Sequence, residues 1–127
     1  MVRRIINNSM VKVKNPLYFI YILECTNAAF YTGYTTDLKR RYQEHCNGSA
    51  KCKYTRSFPP RGIAMCWQVD LALSTVLSIE SAIKRLSKSK KEMLIQYPDK
   101  LTQILDIEKY ENNIEECLEA YCRRGLL

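Results

Sequence analysis

A run of seven apolar and aromatic residues, 17–23, follows Pro16 and constrains the fold more than any other feature of the sequence. Its length and its content of aromatic and β-branched residues predict a β-strand. Residues 26–29 predict a turn, and residues 30–34 predict a second strand that pairs with the first as a hairpin. Because a hairpin makes neighbouring strands antiparallel, the sheet is expected to begin with an antiparallel pair.

The segments after the hairpin predict one more strand and three helices. Residues 35–37 supply N-cap side chains for a helix over 38–45, and Asn47-Gly48 is a signal that ends a helix. The remaining elements are a third strand at 62–70, a helix at 73–86, and a helix from Ser89 to Tyr97 that Pro98 ends. The expected fold is an α/β (α+β) domain, a small three-stranded antiparallel sheet flanked by helices.

The two ends of the chain differ from this domain, which is expected to span residues 16–97. Residues 1–15 predict a short basic arm without regular periodicity. Residues 98–127 predict an acidic helical extension, because apolar residues recur there at helical spacing. The residues with this spacing are Ile104, Ile107, Ile114 and Leu118. Such a helix is a candidate surface for a homodimer or for another protein partner.

The charge of the chain is unevenly distributed. There are 20 Lys and Arg against 13 Asp and Glu, which gives a net charge of +7. Residues 1–100 carry a net charge of +10 and residues 101–127 a net charge of −3. A basic domain favours an anionic partner such as a nucleic acid, although small proteins are also basic without one.

Several classes of protein are excluded by what the sequence lacks. No apolar run approaches the roughly 20 residues that span a bilayer, and the apolar segment near the N-terminus is too short for a secretory signal. The six cysteines form no CxxC pair and there is a single histidine, which argues against a structural zinc site. We therefore expect a cytoplasmic protein with no membrane partner and reduced thiols.

One face of the first predicted helix mixes apolar and titratable side chains. Leu38, Arg41, Tyr42 and His45 fall at i, i+3, i+4 and i+7, which places them on one side of the helix. This side should pack inward, and its polar groups favour the floor of a cleft over a plain core. The alternatives are that Arg41 is a solvated charge, as Arg40 is expected to be, and that His45 serves only in packing.

Glu80 is the second unusual position. It lies one helical turn after Val76 and about 40° from it around the helix axis, so it borders the buried stripe of its helix. A carboxylate at the edge of a core requires a partner, either a cation or a metal ion. The alternative is an ordinary ion pair with Lys84 at i+4.

These motifs together resemble the GIY-YIG nuclease superfamily. The resemblance is carried by FIY and YTG, with their tyrosines ten residues apart, by DLKRRYQEH on the first helix, and by SIESAIKRL on the second. More narrowly, the stretches YTGYTTDLKRRYQEHCNG, KYTRSFPPRGIA and SIESAIKRLSKSKKEMLI are similar to small stand-alone bacterial GIY-YIG domain proteins of the UPF0213 type. The resemblance covers about residues 16–97. It implies an antiparallel three-stranded sheet and hydrolysis of a phosphodiester with one divalent metal ion.

The resemblance also implies roles for individual residues. Matched by position, the catalytic candidates are Tyr21, Tyr31, Arg41, His45 and Glu80, and His45 and Thr55 fall where several members have accessory active-site groups. Glu80 would bind Mg²⁺ or Mn²⁺, and Arg41 would hold the charge that develops on the phosphate. A tyrosine near its ordinary pKa would need help from the metal or from a neighbouring cation to activate water. Which of Tyr21, Tyr31 and His45 activates the water is left open.

A basic and aromatic segment follows the first helix. Residues 51–61 carry four cations around Tyr54 and Phe58. Cations attract phosphates and aromatic rings stack on unpaired bases, so this segment is a candidate nucleic-acid contact, with a solvated loop as the alternative. The candidates for nucleic-acid binding are Lys39, Lys53, Tyr54, Thr55, Arg56, Lys88 and Lys91. Nothing here is typical of a base-reading helix, so low sequence specificity is expected.

The sequence departs from the family pattern at three places. Phe19 stands where the first motif has glycine, and Thr32 stands where the second has isoleucine. Many members carry an asparagine after the glutamate, and here none occurs from residue 81 to residue 111. Candidates for the phosphate contact in its place are Lys88, Lys90 and Lys91, with a solvated basic start of a helix as the alternative.

Three functions are compatible with these observations. The leading hypothesis is a metal-dependent endonuclease acting on DNA, with single-stranded or branched DNA among its candidate substrates and DNA repair as its setting. The second is a nucleic-acid-binding module of the same fold with weak or no cleavage. The third is an interaction protein whose C-terminal helix docks a partner. The paired tyrosines, arginine and glutamate favour the first hypothesis, because binding alone needs no carboxylate in a phosphate cleft.

Overall fold

The computed structural model describes residues 3–6, 9–12, 16–49, 51–105 and 118–121, with side chains over 16–49 and 51–103. The strands are β1 (Arg3–Ile6), β2 (Ser9–Lys12), β3 (Tyr18–Cys25), β4 (Phe30–Thr35), β5 (Pro60–Val69) and β6 (Leu118–Tyr121). The helices are α1 (Leu38–Asn47), α2 (Lys53–Ser57), α3 (Leu73–Lys84), α4 (Lys88–Gln96) and α5 (Leu101–Leu105), with a 3₁₀ turn at Pro98–Lys100. None of the helices in this described part of the chain is long and apolar enough to span a membrane.

Strands β3 to β6 form one antiparallel sheet in the order β4-β3-β5-β6. The hairpin turn between β3 and β4 is closed by a hydrogen bond from the Cys25 backbone N–H to the Ala29 carbonyl at 2.9 Å. Strands β1 and β2 pair with each other in a separate two-stranded antiparallel sheet. The predicted hairpin, the antiparallel sheet and the flanking helices are confirmed.

The two faces of the sheet are covered by different helices, because successive side chains of a strand point to opposite faces. Ile20 and Ile22 of β3 lie in a core that includes Val76, Ile79 and Ile83 of α3. Tyr21, Leu23 and Cys25 of β3 lie in a second core with Leu38 of α1. Consequently α1 and α3 pack on opposite faces of the sheet.

The helix ends follow the capping rules on which they were predicted. The side chain of Asp37 accepts the backbone N–H of the third residue of α1 at 3.1 Å, and Gly48 ends this helix with a φ of 67°. Ser87, rather than Ser89, caps α4, because its hydroxyl accepts the N–H of the third helical residue at 3.3 Å. Helix α4 therefore begins at Lys88, two residues before the start expected from a cap at Ser89.

A short helix replaces the expected loop after α1. In α2 the Cys52 carbonyl accepts the backbone N–H of Arg56 at 2.9 Å, and the Tyr54 carbonyl accepts that of Phe58 at 3.2 Å. The segment is polar outside and only five residues long, so it lacks the apolar periodicity by which a longer helix is recognised. Its consequence is that Thr55 points into the protein and its neighbours point outward.

The ends of the chain also differ from expectation. Two strands, β1 and β2, occupy parts of the predicted basic arm, and within the predicted helical extension the structure describes the 3₁₀ turn, α5 and β6. Leu118–Tyr121 forms β6 instead of helix and pairs with the outer edge of β5, which makes the sheet four-stranded. The prediction of a helix was wrong for Leu118–Tyr121. The backbone N–H and C=O groups of this segment pair with the edge of β5, and this pairing outweighs the helical spacing of apolar residues. The predicted positions Ile107 and Ile114 lie outside the described residues.

Candidate active site

A hydrogen-bonded chain of three buried side chains joins β3, α1 and α2. The Tyr21 hydroxyl lies 2.9 Å from His45 Nε2, and Thr55 Oγ1 lies 2.7 Å from His45 Nδ1. Tyr21 is 2% exposed, and His45 and Thr55 are fully buried. Tyr21 is 24 residues from His45 along the chain, so the packing of α1 on the sheet creates this arrangement.

Burial sets the protonation states of this chain. Burial, and then the charge of Arg41, lowers the pKa of His45 to about 4, so its ring is neutral at pH 7. Burial also raises the pKa of the Tyr21 hydroxyl, although the Arg41 side chain opposes this effect. Tyr21 therefore keeps its proton in the resting protein and lies against a neutral imidazole.

Gly33 makes room for the Tyr21 ring. The two residues are partners across β3 and β4, and a Cβ built on Gly33 would lie 2.6 Å from Tyr21 Cζ and closer still to the hydroxyl oxygen. The ring therefore lies across a position that only glycine leaves open. Tyr31 and Gly33 share one face of β4, with Thr32 on the other, which is the physical reason for the spacing of the YTG motif.

Arg41 lies beside this chain on the same face of α1. Its Nη1 donates to Glu44 Oε1 at 3.1 Å, its Nη2 donates to the Lys51 carbonyl at 3.4 Å, and it interacts with the Tyr21 hydroxyl. Its side chain is only 21% exposed, whereas Arg40 is exposed. Arg41 is thus held in place by three groups and is not a solvated helix charge.

Three aromatic rings lead from the buried histidine to the surface. Tyr31 contacts His45 edge to face at a centroid distance of 5.0 Å and stacks on Tyr54 at 5.9 Å. Tyr54 contacts Phe58 at 5.5 Å, and each of these two side chains is 40% exposed. We call Tyr31, Tyr54 and Phe58 the aromatic row.

No local sequence pattern indicated the residue that anchors the middle of this row. Asn27 Nδ2 donates to the Tyr54 hydroxyl at 3.1 Å across 27 positions of sequence. Asn27 also accepts the backbone N–H of Ala29 in the hairpin turn, at 3.2 Å. A turn residue was expected at this position, which agrees with the contact to Ala29. The contact with Tyr54 depends on where α2 packs.

The basic candidates lie on α1, on α2 and at the start of α4. Lys39, Lys53 and Arg56 are exposed on α1 and α2. Lys88 Nζ lies 5.8 Å from the centre of the Phe30 ring. The pKa of the partly buried Lys91 is lowered, first by burial and then by the charge of Lys84. These cations are available to phosphate groups.

Thr55 is the exception among the expected nucleic-acid contacts. Its side chain has no exposed surface, and its hydroxyl lies against the histidine ring and the Cys52 carbonyl. The prediction that Thr55 contacts nucleic acid directly is therefore wrong, because α2 is a helix that turns this side chain inward.

Glu80 is 9% exposed, and its Oε1 lies 3.3 Å from Lys84 Nζ, so the ion pair at i+4 is present. It lies on α3, across the sheet from Arg41 and His45. Among the contacts of the described residues, none joins Glu80 to these two side chains. Helix α3 packs on β4, however, and β4 is an edge strand of the sheet that leads directly into α1. Strand β4 therefore links the helix that carries Glu80, by packing, to the helix that carries Arg41 and His45, along the chain.

A divalent ion such as Mg²⁺ requires oxygen ligands, and Glu80 is the candidate that offers one. Within residues 16–49 and 51–103, no three His, Cys, Asp or Glu side chains form a metal cluster. Glu80 supplies one carboxylate, and the Lys84 ammonium beside it shows that this carboxylate attracts a cation. One carboxylate completed by water and substrate phosphate is a common way to hold Mg²⁺, so these residues fit such an ion.

Known proteins with similar sequences were compared with the chain. A UPF0213 protein from Syntrophus aciditrophicus is 40% identical over 84 residues, which cover 65% of this chain and 95% of that protein. A UPF0213 protein from Halalkalibacterium halodurans is 38% identical over 78 residues, covering 61% of this chain and 81% of the relative. The solution NMR structure of a UPF0213 protein from Bacillus halodurans is 35% identical, covers 68% of this chain and 93% of that one, and has a TM-score of 0.40.

The family model described as the GIY-YIG catalytic domain matches residues 17–93. This range is more than half of the chain and contains β3, β4, α1 and α3, which carry the motif tyrosines, Arg41, His45 and Glu80. The chain therefore belongs to the GIY-YIG family of nuclease domains.

Proposed function

We propose that this chain is a metal-dependent endonuclease that hydrolyses phosphodiester bonds in DNA with low sequence specificity. The observation that carries the proposal is the buried chain from Tyr21 through His45 to Thr55, with Arg41 at the Tyr21 hydroxyl. A protein that only binds nucleic acid has no need for a proton relay next to a fixed cation. The family membership supports the nuclease part of the proposal.

Arg41 is the phosphate-binding group. A guanidinium donates to two phosphate oxygens at once and stays charged at every relevant pH. In the resting protein its donors are occupied by Glu44 of α1 and by the Lys51 carbonyl between α1 and α2, beside its contact with Tyr21. A phosphodiester that replaces these contacts places its negative charge next to Tyr21 and stabilises the charge that develops during hydrolysis.

Tyr21 and His45 move the proton of the attacking water. Tyr21 accepts that proton on its hydroxyl oxygen as its own proton passes to His45 Nε2, 2.9 Å away. The charge of Arg41 is part of what depresses the His45 pKa, so a bound phosphate anion that neutralises Arg41 makes the imidazole a better acceptor. Tyr31, which contacts the histidine through its ring, forms a wall of the site in this scheme.

Glu80 would hold the divalent ion, Mg²⁺ or Mn²⁺, at the open edge of β4. When bound, the ion supplies Lewis-acid stabilisation of the phosphate and the leaving oxygen. Lys84 is 49% exposed and can move away from the carboxylate without unpacking α3. The reacting phosphate would then lie along the edge strand, between groups on α1 and α3.

The aromatic row supports a single-stranded or locally unpaired substrate. Tyr54 and Phe58 expose ring surface to solvent, and the cations of α2 lie beside them. Rings of this kind stack on bases that are not paired, while the cations attract phosphates without reading sequence. A duplex hides its base faces, so it would use only the cations.

The Glu80 proposal predicts a metal-linked loss of cleavage. Glu80→Gln is expected to lower the rate of DNA cleavage in Mg²⁺ by about 100-fold or more, because the amide keeps the size of the side chain but loses its charge. The rate is measured on a labelled oligonucleotide at several Mg²⁺ concentrations. Lys84→Gln breaks the same ion pair and retains the carboxylate, so it controls for the ion pair. Equal activity of Glu80→Gln and Lys84→Gln would contradict the role of Glu80.

The aromatic row predicts a selective loss of binding. Tyr54→Ala and Phe58→Ala are each expected to weaken single-stranded DNA binding by about 5- to 100-fold, since stacking is worth about 1–3 kcal/mol per base. Binding of a fully paired duplex should change little. Affinities are measured by fluorescence anisotropy in EDTA, with Tyr97→Ala as a control at an aromatic side chain that is 50% exposed and directly follows α4. Equal losses on both DNAs would mean that the row does not contact bases.

A further inference from the structure

We propose that Thr55 is a positioning residue that fixes His45 in one neutral tautomer, with the proton on Nδ1 and the Nε2 lone pair facing Tyr21. The effect of this tautomer on catalysis rests on the proposed function, whereas the tautomer itself is a property of the protein without DNA. Thr55 acts through His45 and touches neither substrate nor metal in this proposal.

The assignment follows from counting donors. The Thr55 hydroxyl has a single proton, and it lies 3.4 Å from the Cys52 carbonyl, which can only accept. With its proton used there, Thr55 Oγ1 must accept from His45 Nδ1 across the shorter distance of 2.7 Å. The remaining ring nitrogen, Nε2, then carries the lone pair and accepts the proton of the Tyr21 hydroxyl.

The short helix α2 holds Thr55 in the orientation that this pattern needs. The Cys52 carbonyl is the first acceptor of α2 and also receives the backbone N–H of Arg56 at 2.9 Å. A carbonyl fixed by this backbone bond gives the threonine hydroxyl one defined acceptor, three residues back along the chain. Thr55 is fully buried, so bulk water does not offer a second partner.

The opposite tautomer would disturb every bond of this chain. A proton on Nε2 would have to be donated to Tyr21, whose own proton would lose its acceptor. The lone pair on Nδ1 would draw the Thr55 proton away from the Cys52 carbonyl. A buried hydroxyl proton without an acceptor is unfavourable, so the tautomer with the proton on Nδ1 is favoured.

The surroundings of His45 keep its ring neutral, so the position of its one N–H proton decides which ring nitrogen can accept a proton. Tyr21 of β3, Tyr31 of β4 and Thr55 of α2 face it without charge, while Arg41 and Glu44 of α1 act on it in opposite directions. Burial and Arg41 dominate, and they lower the pKa of His45 to about 4. At pH 7 only an Nε2 lone pair can take the proton from Tyr21.

Nitrogen NMR tests the assignment directly, because His45 is the single histidine of the chain. In protein labelled with [¹⁵N]histidine, the two ring resonances belong to His45 without further assignment. At pH 7 and without DNA, we expect a protonated Nδ1 and an unprotonated Nε2. Thr55→Val removes the hydroxyl at similar size and should shift the population toward the Nε2-protonated tautomer, whereas Thr55→Ser should keep the original one.

Kinetics supply the second readout. Thr55→Val should lower kcat for DNA cleavage by about 10- to 100-fold with little change in KM, and Thr55→Ser should restore it. A wild-type spectrum with the proton on Nε2 would overturn the proposal, as would a Thr55→Val protein that keeps the Nδ1 proton. The wild-type spectrum decides the matter even where the valine variant does not fold. If the wild type cuts no DNA but shows the expected tautomer, the proposed function fails and this assignment stands.

Discussion

Arg41→Ala is expected to lower the rate of DNA cleavage by about 100- to 1,000-fold, the effect of removing one group that stabilises transition-state charge. The loss should appear mainly in kcat, because the lysines and arginines of α1, α2 and α4 still attract the DNA. The folded structure should persist, since the contacts of Arg41 are polar ones with Glu44, a loop carbonyl and the Tyr21 hydroxyl, and Tyr21 keeps its bond to His45 without them.

The neighbouring arginine provides a matched control for this experiment. Arg40 lies on the same helix, carries the same charge and is exposed. Arg40→Ala therefore removes as much positive charge from the protein and should leave the cleavage rate within about twofold of wild type, consistent with the small effects of exposed charges. Arg41→Lys should recover only part of the rate, because an ammonium does not donate to two phosphate oxygens in one plane. Similar rates for Arg40→Ala and Arg41→Ala would contradict the role given to Arg41.

Gly33→Ala is expected to destabilise the protein by about 1–3 kcal/mol, the usual cost of an added methyl group in a packed core. The new Cβ would lie 2.6 Å from Tyr21 Cζ, so the ring must move. Movement of the ring also takes its hydroxyl away from His45 Nε2, and cleavage should fall together with stability. Thermal unfolding followed by circular dichroism should show a midpoint lower by roughly 4–8 °C for each kcal/mol.

Gly62 separates this steric effect from the general effect of placing alanine in a strand. It lies in β5, and a Cβ built on it meets no heavy atom within 4 Å. Gly62→Ala should therefore leave the unfolding midpoint unchanged or raise it slightly, because alanine restricts the unfolded chain more than glycine does. A Gly33→Ala protein as stable and as active as Gly62→Ala would show that the Tyr21 ring does not depend on Gly33.

The sequence predicted those parts of the site that follow from local patterns. Strand alternation and the hairpin turn placed Tyr21 and Tyr31 on neighbouring strands, and helical spacing placed Arg41 and His45 on the inward face of α1. Each of these inferences uses contacts between residues close in sequence, or pairing that the turn itself imposes. The edge position of Glu80 on the buried stripe of α3 followed from the same periodicity.

The features that sequence patterns missed depend on tertiary packing. Thr55 sits in a segment too short and too polar to show helical periodicity, so its inward orientation was not foreseen. Asn27 anchors Tyr54 only because α2 folds back over the hairpin turn. In the C-terminal part, Leu118–Tyr121 pairs with the edge of β5, an interaction that no local spacing of apolar residues records. Long-range pairing decides such segments.

Incubation of the wild-type chain with end-labelled single-stranded and duplex DNA, in Mg²⁺, in Mn²⁺ and in EDTA, tests most directly whether it cuts phosphodiester bonds. We expect internal cleavage products in either metal, faster on the single strand, and intact DNA in EDTA. Intact DNA under every condition, with binding still measurable by anisotropy, would contradict the endonuclease and would leave a nucleic-acid-binding module built on the same fold.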